Sequence, residues 1–150
     1  MEKHTLKSLI EKESSHRGDT RMTQTVMEGF VRQNSEVMTE EKGYIYFKYQ
    51  GVKMALLSDV KHDRMRIISP ITPYSQLAPK IKEDLMHANF HKALDARYAV
   101  SEDTLYAVFI HPLSTLSQEE LKSALKQVSN LKLNFGKTYS SGQLDFTNKK

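Results

Sequence analysis

The residues best placed to bind a metal are His87 and His91, which lie four positions apart in a segment with helical periodicity. That spacing puts both imidazoles on one face of a helix, with Asp84 and Asp95 nearby on either side. Zinc sites use at least three protein ligands, and no third ligand is evident here. The chain has no cysteine, which excludes thiolate metal sites and disulfides. We interpret both histidines as surface or half-buried residues hydrogen-bonded to carboxylates, and expect no metal and no cofactor.

A third histidine, His111, lies at the end of a predicted strand, where a general base could project into a cleft. General-base catalysis also needs a partner that orients the imidazole, and the sequence does not identify one. Motifs for serine hydrolases, phosphate-binding loops and dinucleotide binding do not occur. We therefore expect that the protein is not an enzyme and that backbone groups satisfy the His111 side chain.

The segment from Lys42 to Tyr49 carries a pattern typical of nucleic-acid binding. Its basic residue, glycine and alternating aromatic side chains match the RNA-recognition strand at six of eight places. In that domain the strand is the third, after a strand, a helix and a strand, whereas only helical or polar sequence precedes residue 42 here. A nucleic-acid-binding protein that uses this aromatic strand together with Lys42, Lys48 and Lys53 stays open as the alternative.

Composition limits the class of protein. The 150 residues carry a net charge of +4 with 39% hydrophobic residues, which is typical of one globular domain. The sequence has no apolar run as long as a membrane-spanning helix and no signal-peptide pattern, so we expect a cytoplasmic protein. Residues 131–150 carry four basic groups and one acidic group, so the high pI of about 9.2 reflects mainly a basic C-terminal segment.

The hydrophobic periodicity predicts three helices and five strands. Residues 1–21 are expected to form a flexible leader or short helix, residues 22–139 one domain, and residues 140–150 a flexible basic tail. The first helix starts at Met22, and its apolar stripe continues as far as Val37 and Met38. The order α-β-β-β-α-β-β-α predicts an α+β fold with one antiparallel sheet packed against helices.

The last helix has the clearest local signal. Ser117 is followed three residues later by Glu120, which is the pattern of a capping box. Leu116 and Leu121 are spaced as a hydrophobic staple across the same helix start. Gly136 is the expected C-terminal cap.

The second half of the chain carries a family resemblance. Asn89 near a helix end precedes a strand at 96–100, an acidic loop at 101–103, a long apolar strand and the capped final helix. With the hairpin that begins at Gly43 and turns at Gly51, this run resembles the type III secretion chaperone-like fold of the Tir-chaperone and YbjN-like families. The likeness covers residues 22–139. The net positive charge differs from the small acidic secretion chaperones and favours the YbjN-like branch.

The resemblance implies a non-enzymatic module, usually a homodimer, that holds a segment of a protein partner. An exposed sheet can take up such a segment through backbone pairing and side-chain pockets. The candidate protein-binding or dimer residues lie on the first and fifth predicted strands: Tyr44, Tyr46, Tyr49, Tyr106, Val108 and Ile110. The sequence does not fix which way these alternating side chains point, so the alternative that they fill the monomer core stays open.

Overall fold

The protein is described by a computed structural model that covers residues 21–142. The predicted leader lies almost wholly outside the described residues, and so do residues 143–150 of the predicted tail. The elements in chain order are α1 (Gln24–Asn34), β1 (Glu36–Glu41), β2 (Tyr44–Tyr49), β3 (Val52–Asp59), β4 (Arg64–Pro73), α2 (Pro79–His91), β5 (Arg97–Ser101), β6 (Thr104–Pro112) and α3 (Gln118–Leu133). Between residues 21 and 142 no helix is long and apolar enough to cross a membrane.

The α+β class and the single antiparallel sheet are confirmed, with one strand more than predicted. The sheet has six strands in the order β1-β2-β3-β4-β6-β5. The first four strands form a meander, and α2 then carries the chain to the far edge, so that β6 pairs with β4 and β5 lies outside β6. All three helices contribute to one hydrophobic cluster with the strands. The sheet therefore has one helix-covered face.

The extra strand is β1, which we had predicted as the end of the first helix. The helix stops at Asn34 because the side chains of Asn34 and Ser35 donate hydrogen bonds to the carbonyl oxygens of Phe30 and Val31, at 2.7 and 2.6 Å. Free carbonyl groups at a helix end need such partners. The strand that follows is almost entirely exposed and carries a bulge beside Val37, so it lacks the alternation that identifies a strand.

The capping box of α3 is confirmed. The Ser117 hydroxyl accepts a hydrogen bond from the Glu120 N–H at 3.0 Å, and the Glu120 carboxylate accepts one from the Ser117 N–H at 2.9 Å. The bond from the Ser117 backbone is the main reason that the pKa of Glu120 is lowered. The helix ends earlier than expected, at Leu133, and Gly136 adopts a φ of 78° just beyond it, where the chain reverses.

The buried face of α3 packs against interior strands in the half of the sheet that ends at β5. Its fully buried side chains meet β4 and β6, which are joined over nine residue pairs. The largest fully buried side chains of the core are Met27, Ile45, Phe47, Met54, Leu56, Met65, Ile67, Leu105, Leu116, Leu121, Leu125 and Leu131. Every one of the strand residues in this set alternates with a residue on the opposite side of the sheet.

The outer edge of β5 is closed by two amide side chains. Asn89 on α2 accepts a hydrogen bond from the Tyr98 N–H at 2.8 Å and donates one to the Tyr98 carbonyl at 3.0 Å. Gln127 on α3 accepts bonds from the N–H groups of Asp95 and Ala96, at 2.8 and 3.0 Å. Asn89 therefore takes the place of a neighbouring strand and fixes α2 to β5. This is the physical role of the helix-end asparagine on which the family resemblance partly rests.

The packed chain continues past the predicted start of the tail. Ser141 is buried, and its hydroxyl accepts a hydrogen bond from the Leu94 N–H at 2.6 Å. Its carbonyl accepts a bond from the Asn130 side chain at 3.0 Å. At Gly142 an added Cβ would approach the Leu94 side chain to 2.9 Å. The chain is thus held between α2 and α3 at least as far as Gly142.

Removing the Asn89 side chain should lower stability. An Asn89→Ala variant leaves the N–H and carbonyl of Tyr98 without partners at a partly buried site, so we expect the free energy of unfolding to fall by about 2 to 4 kcal/mol. Urea unfolding followed by circular dichroism measures this loss. Lys126→Ala, on the exposed side of α3, is the control and should change stability by less than about 0.5 kcal/mol. Equal stability of the two variants would contradict the role of Asn89.

Candidate protein-binding surface

Five of the six candidate residues share the sheet face away from the helices. Tyr44 and Ile110 are 37% and 53% exposed, and Tyr46, Tyr106 and Val108 are half-buried. Their strand neighbours on either side are buried in the core. We call this side the open face and define it by Tyr44, Tyr46, Ala55, Leu57, Arg66, Ile68, Tyr106, Val108 and Ile110. Among residues 21–142 no helix packs against it.

The sixth candidate, Tyr49, belongs to the core. It is only 6% exposed, and burial raises the pKa of its hydroxyl. Successive side chains of a strand point to opposite faces, so Tyr49 cannot face the same way as Tyr44 and Tyr46. The core alternative therefore holds for Tyr49, and Tyr49 is not a candidate for a surface contact.

The open face is organised as two rows that cross four strands. Residues paired across strands project to the same side, so the register of β2, β3, β4 and β6 defines these rows. The first row is Tyr46, Ala55, Ile68 and Val108, and the second is Tyr44, Leu57, Arg66 and Ile110. At the usual strand spacing each row is about 14 Å wide. The surface is therefore largely apolar, with one arginine within the second row.

Two shallow depressions lie on the open face. One, of about 230 Å³, is bordered by Ile68, Tyr106, Val108 and Ile110. The other, of about 480 Å³, lies toward the turn between β3 and β4 and includes Leu57. Arg66 and Ile110 line both depressions, so the two depressions are adjacent. Their shape suits side chains of an extended segment rather than one enclosed small molecule.

The charged groups of the open face are unevenly placed. Lys48 and Lys53 face each other across β2 and β3 at one end. Arg64 lies opposite Asp59 at the other end, and the Asp59 carboxylate also contacts His62 Nδ1 at 2.7 Å. Hydrogen bonding to His62 lowers the pKa of Asp59, so this carboxyl group stays ionised. The open face carries cations at both ends of an apolar centre.

Neither edge of the sheet is a simple site for an added strand. The β5 edge is occupied by Asn89 and Gln127 as described above. The β1 edge carries Glu36, Glu40 and Glu41 and a bulge, and Glu40 is paired with Arg32 of α1 at 3.2 Å. Charges and bulges are common features that prevent edge pairing. The face of the sheet is thus more accessible to a partner than its edges.

The candidate metal pair does not converge on a site. His87 Nε2 lies 3.6 Å from the Glu83 carboxylate, whereas His91 packs edge-on against Phe90 and its Nδ1 is buried without a hydrogen-bond partner. Asp84 contacts Lys80 at 3.3 Å, and Asp95 accepts a bond from Gln127. Over residues 21–142 no three His, Asp or Glu side chains come together as a metal site would require.

His111 has a structural position at the end of β6. Its Nδ1 lies 2.8 Å from the Pro112 carbonyl, and its Nε2 lies 3.1 Å from the Glu120 carboxylate. The imidazole also stacks on Phe109 with an interplanar angle of 3°. It therefore joins β6 to the first turn of α3. The backbone contact agrees with the sequence prediction, and the contact with Glu120 was not predicted.

The segment that resembles an RNA-recognition strand forms β2, the second strand of the sheet. It places Tyr44, Tyr46 and Lys48 on the open face, with Lys53 beside them. Lys42 lies apart, since its ammonium group donates to the Thr25 hydroxyl of α1 at 3.1 Å. Gly43 has a φ of 90° in the turn between β1 and β2, a conformation that favours glycine. The turn geometry therefore explains why a glycine occurs at this position.

Sequence reasoning missed the contributions of β3 and β4 to the open face. Leu57, Arg66 and Ile68 lie between the two strands that were singled out. The signal was present in β4, where the core residues Met65 and Ile67 alternate with exposed arginines. Alternation shows which residues share a face of the sheet. It does not show which face the helices leave uncovered, and only the packing of the helices identifies that face.

Replacing Tyr49 and Tyr46 should separate core from surface. Tyr49→Ala removes a buried aromatic side chain, and we expect the free energy of unfolding to fall by about 3 to 5 kcal/mol. Tyr46→Ala, on the open face, should cost about 1 kcal/mol or less. Thermal and urea unfolding of both variants measure the difference. A larger loss for Tyr46→Ala than for Tyr49→Ala would mean that the faces of β2 are assigned the wrong way round.

Solved structures provide the comparison. No protein-family model and no curated protein sequence matches the chain. The Yersinia pestis type III secretion chaperone SycH, solved with a fragment of YscM2, is 14% identical with a TM-score of 0.56, covering 75% of this chain and 98% of that one. A chain of the HopA1–SchA chaperone–effector complex has the same identity and TM-score, with coverage of 74% and 90%. A chain of the ExsC–ExsE complex is 13% identical with a TM-score of 0.52, with coverage of 71% and 85%. The chain has the type III secretion chaperone-like fold, as the sequence resemblance predicted.

Proposed function

We propose that the protein is a non-catalytic module that binds an extended segment of another protein on its open face. One observation carries this proposal: two mainly apolar rows cross four strands on a sheet face that no helix of residues 21–142 covers. Contiguous exposed apolar surface of this kind is typical of interaction sites. The fold likeness supports the proposal, because the solved neighbours include a chaperone–effector complex and a secretion chaperone bound to a fragment of another protein.

The geometry of the rows suits an extended segment. A segment in β conformation directs alternate side chains to the same side, so its apolar residues can enter the depressions beside Val108 and Ile110 while its other residues face solvent. Burial of this surface supplies the driving force, at roughly 25 cal/mol per Å² of apolar area. The sheet loses little conformational entropy on binding, since its residues are already fixed by strand pairing.

The described residues favour binding over catalysis. His111 is held by Pro112 and Glu120, and His87 contacts Glu83 on the surface of α2. None of these groups lies on the open face, where a bound segment would be placed. We propose that the module acts without a cofactor and that its selectivity comes from side-chain pockets.

A nucleic-acid partner is the competing function. Tyr44, Tyr46 and Lys48 lie together on the open face, as an aromatic platform for bases would require. The centre of the face is aliphatic, however, with Ile68, Val108 and Ile110 where further stacking side chains would be needed. Aliphatic depressions favour peptide side chains, so we place nucleic acid second.

The test is variant-dependent capture of a partner from native lysate. The tagged wild-type chain should retain a protein in near-stoichiometric amount after nuclease treatment. Ile110→Asp should lose that protein, because a carboxylate in the depression opposes apolar burial. Leu133→Asp is the control, since Leu133 is equally exposed (56% against 53%) but lies at the end of α3. Retention by Ile110→Asp, or loss of binding on nuclease treatment, would overturn the proposal.

We also propose that the protein is a homodimer that uses the outer side of α2. Met86 and Phe90 are 70% and 75% exposed and lie four residues apart on one side of that helix. The helix packs beside β5, where Val100 is exposed as well. Glu83 and His87 lie on the same side of the helix and contact each other at 3.6 Å. In a two-fold interface a patch meets its own copy, and a patch without a strong excess of one charge is compatible with itself.

Light scattering after gel filtration tests the dimer. We expect the wild type to have the mass of two 17.3 kDa chains, and Phe90→Asp to have the mass of one. Val26→Asp, an exposed apolar residue on α1, is the matched control and should stay dimeric. Circular dichroism checks that each variant is folded. A wild-type monomer, or a dimeric Phe90→Asp variant, would refute this interface.

A further inference from the structure

We propose that the segment held on the open face is acidic as well as apolar, and that it presents a carboxylate to Arg66. This inference rests on the proposed protein-binding function and adds the chemistry of the partner. Arg66 lies in the second row between Leu57 on β3 and Ile110 on β6. It also lines both depressions of the open face. A segment placed over this row must meet its guanidinium group.

Arg66 differs from the other arginines around it. Arg32 is paired with Glu40, Arg64 donates to the Asp63 carbonyl, and Arg97 donates to the carbonyls of Leu94 and Ala96. Within residues 21–142 the Arg66 guanidinium makes neither an ion pair nor a hydrogen bond. Its side chain is exposed on an antiparallel strand whose alternate residues, Met65 and Ile67, are in the core.

Among residues 21–142 no acidic group of the sheet forms an ion pair with Arg66, although Asp59 borders one of the same depressions. The carboxylate of Asp59 contacts His62 and lies opposite Arg64 in the register. The β1 glutamates are three strands away from β4. The positive charge of Arg66 is therefore available to a partner.

The surroundings of Arg66 determine which partner charge is accepted. A segment that buries Leu57 and Ile110 also removes water from the guanidinium group between them. A charge that loses its water is strongly unfavourable unless an opposite charge replaces the water. A carboxylate does so through two parallel hydrogen bonds to the guanidinium fork, whereas a lysine would place a second cation there. Arg66 therefore selects aspartate or glutamate and rejects basic residues.

A phosphate would also satisfy a guanidinium group, so a nucleic-acid partner must be distinguished from an acidic peptide. The groups next to Arg66 in its row are aliphatic, and Tyr44 lies two strands away at the far end of that row. Tyr106 borders one of the depressions that Arg66 lines, but in the register it lies opposite Pro70, four residues along β6 from Ile110. A base attached to a phosphate at Arg66 would therefore meet Leu57 and Ile110 first, and neither side chain is aromatic. An acidic residue flanked by apolar residues fits both features of the site.

Peptide selection on the full-length chain tests the inference. Random peptides are panned on the wild type, on Arg66→Glu and on Lys126→Glu, which makes the same charge change on the exposed side of α3. Wild type and Lys126→Glu should enrich peptides with aspartate or glutamate between apolar residues at two-residue spacing. A peptide resynthesised from this set should bind Arg66→Glu about tenfold or more weakly than wild type. The same peptide with lysine in place of its acidic residue should restore binding to Arg66→Glu.

The possible results distinguish the role of Arg66 from the proposed protein-binding function on which it rests. Enriched peptides without acidic residues, or equal affinity for wild type and Arg66→Glu, would overturn the role of Arg66 and leave protein binding intact. If the wild type enriches no peptides, both the role of Arg66 and the protein-binding function are wrong. Both are also wrong if labelled oligothymidine displaces the peptides and its own affinity falls steeply between about 50 and 200 mM salt. Arg66→Gln provides a second variant, expected to lose the acidic preference, if circular dichroism finds Arg66→Glu unfolded.

Discussion

The packing of α3 across β4 and β6 is the constraint on which the other features depend. Those two strands are the fourth and fifth of the six in the sheet, and the buried side of α3 packs against them. Once Met65, Ile67 and Phe109 are committed to this contact, the alternating residues must project to the other side. The open face is therefore a direct consequence of the core. The chain places isoleucine, valine and tyrosine on that face, where a strand with solvent on one side usually carries polar residues.

The edges of the sheet are closed by means that leave the open face accessible. At β5 the amide side chains of Asn89 and Gln127 occupy backbone groups that would otherwise accept another strand. At β1 three glutamates and a bulge have the same effect. The Asn89 contact holds α2 against the sheet, and the outer side of α2, with Met86 and Phe90, is exposed. The proposed partner-binding surface and the proposed dimer surface are thus different parts of the molecule.

The fold places the chain beside proteins that have little sequence in common with it. At 13–14% identity the shared property is the arrangement of three helices on one side of an antiparallel sheet. Hydrophobic patterns and turn residues are sufficient to specify such an arrangement, because many different apolar side chains can fill the same core. The residues that would determine the partner, such as Arg66, lie outside the core. Two chains can therefore share the fold and differ in what they bind.

The sequence by itself determined the features that depend on neighbouring residues. The capping box of Ser117 and Glu120, the hairpin turns and the alternation along β2 and β6 are local, since each is fixed within a few residues of the chain. The prediction grouped Tyr49 with Tyr44 and Tyr46 as candidate surface residues, although odd and even positions of a strand face opposite sides and Tyr49 is buried. The end of α1 was mistaken because Val37 and Met38 continue an apolar stripe, while β1 is held mainly by its pairing with β2.

Only the tertiary structure placed Arg66 between Leu57 and Ile110, because that row joins strands distant in sequence through their register. It also decided that the helices cover one face and leave the other open, since that choice depends on how the whole core packs.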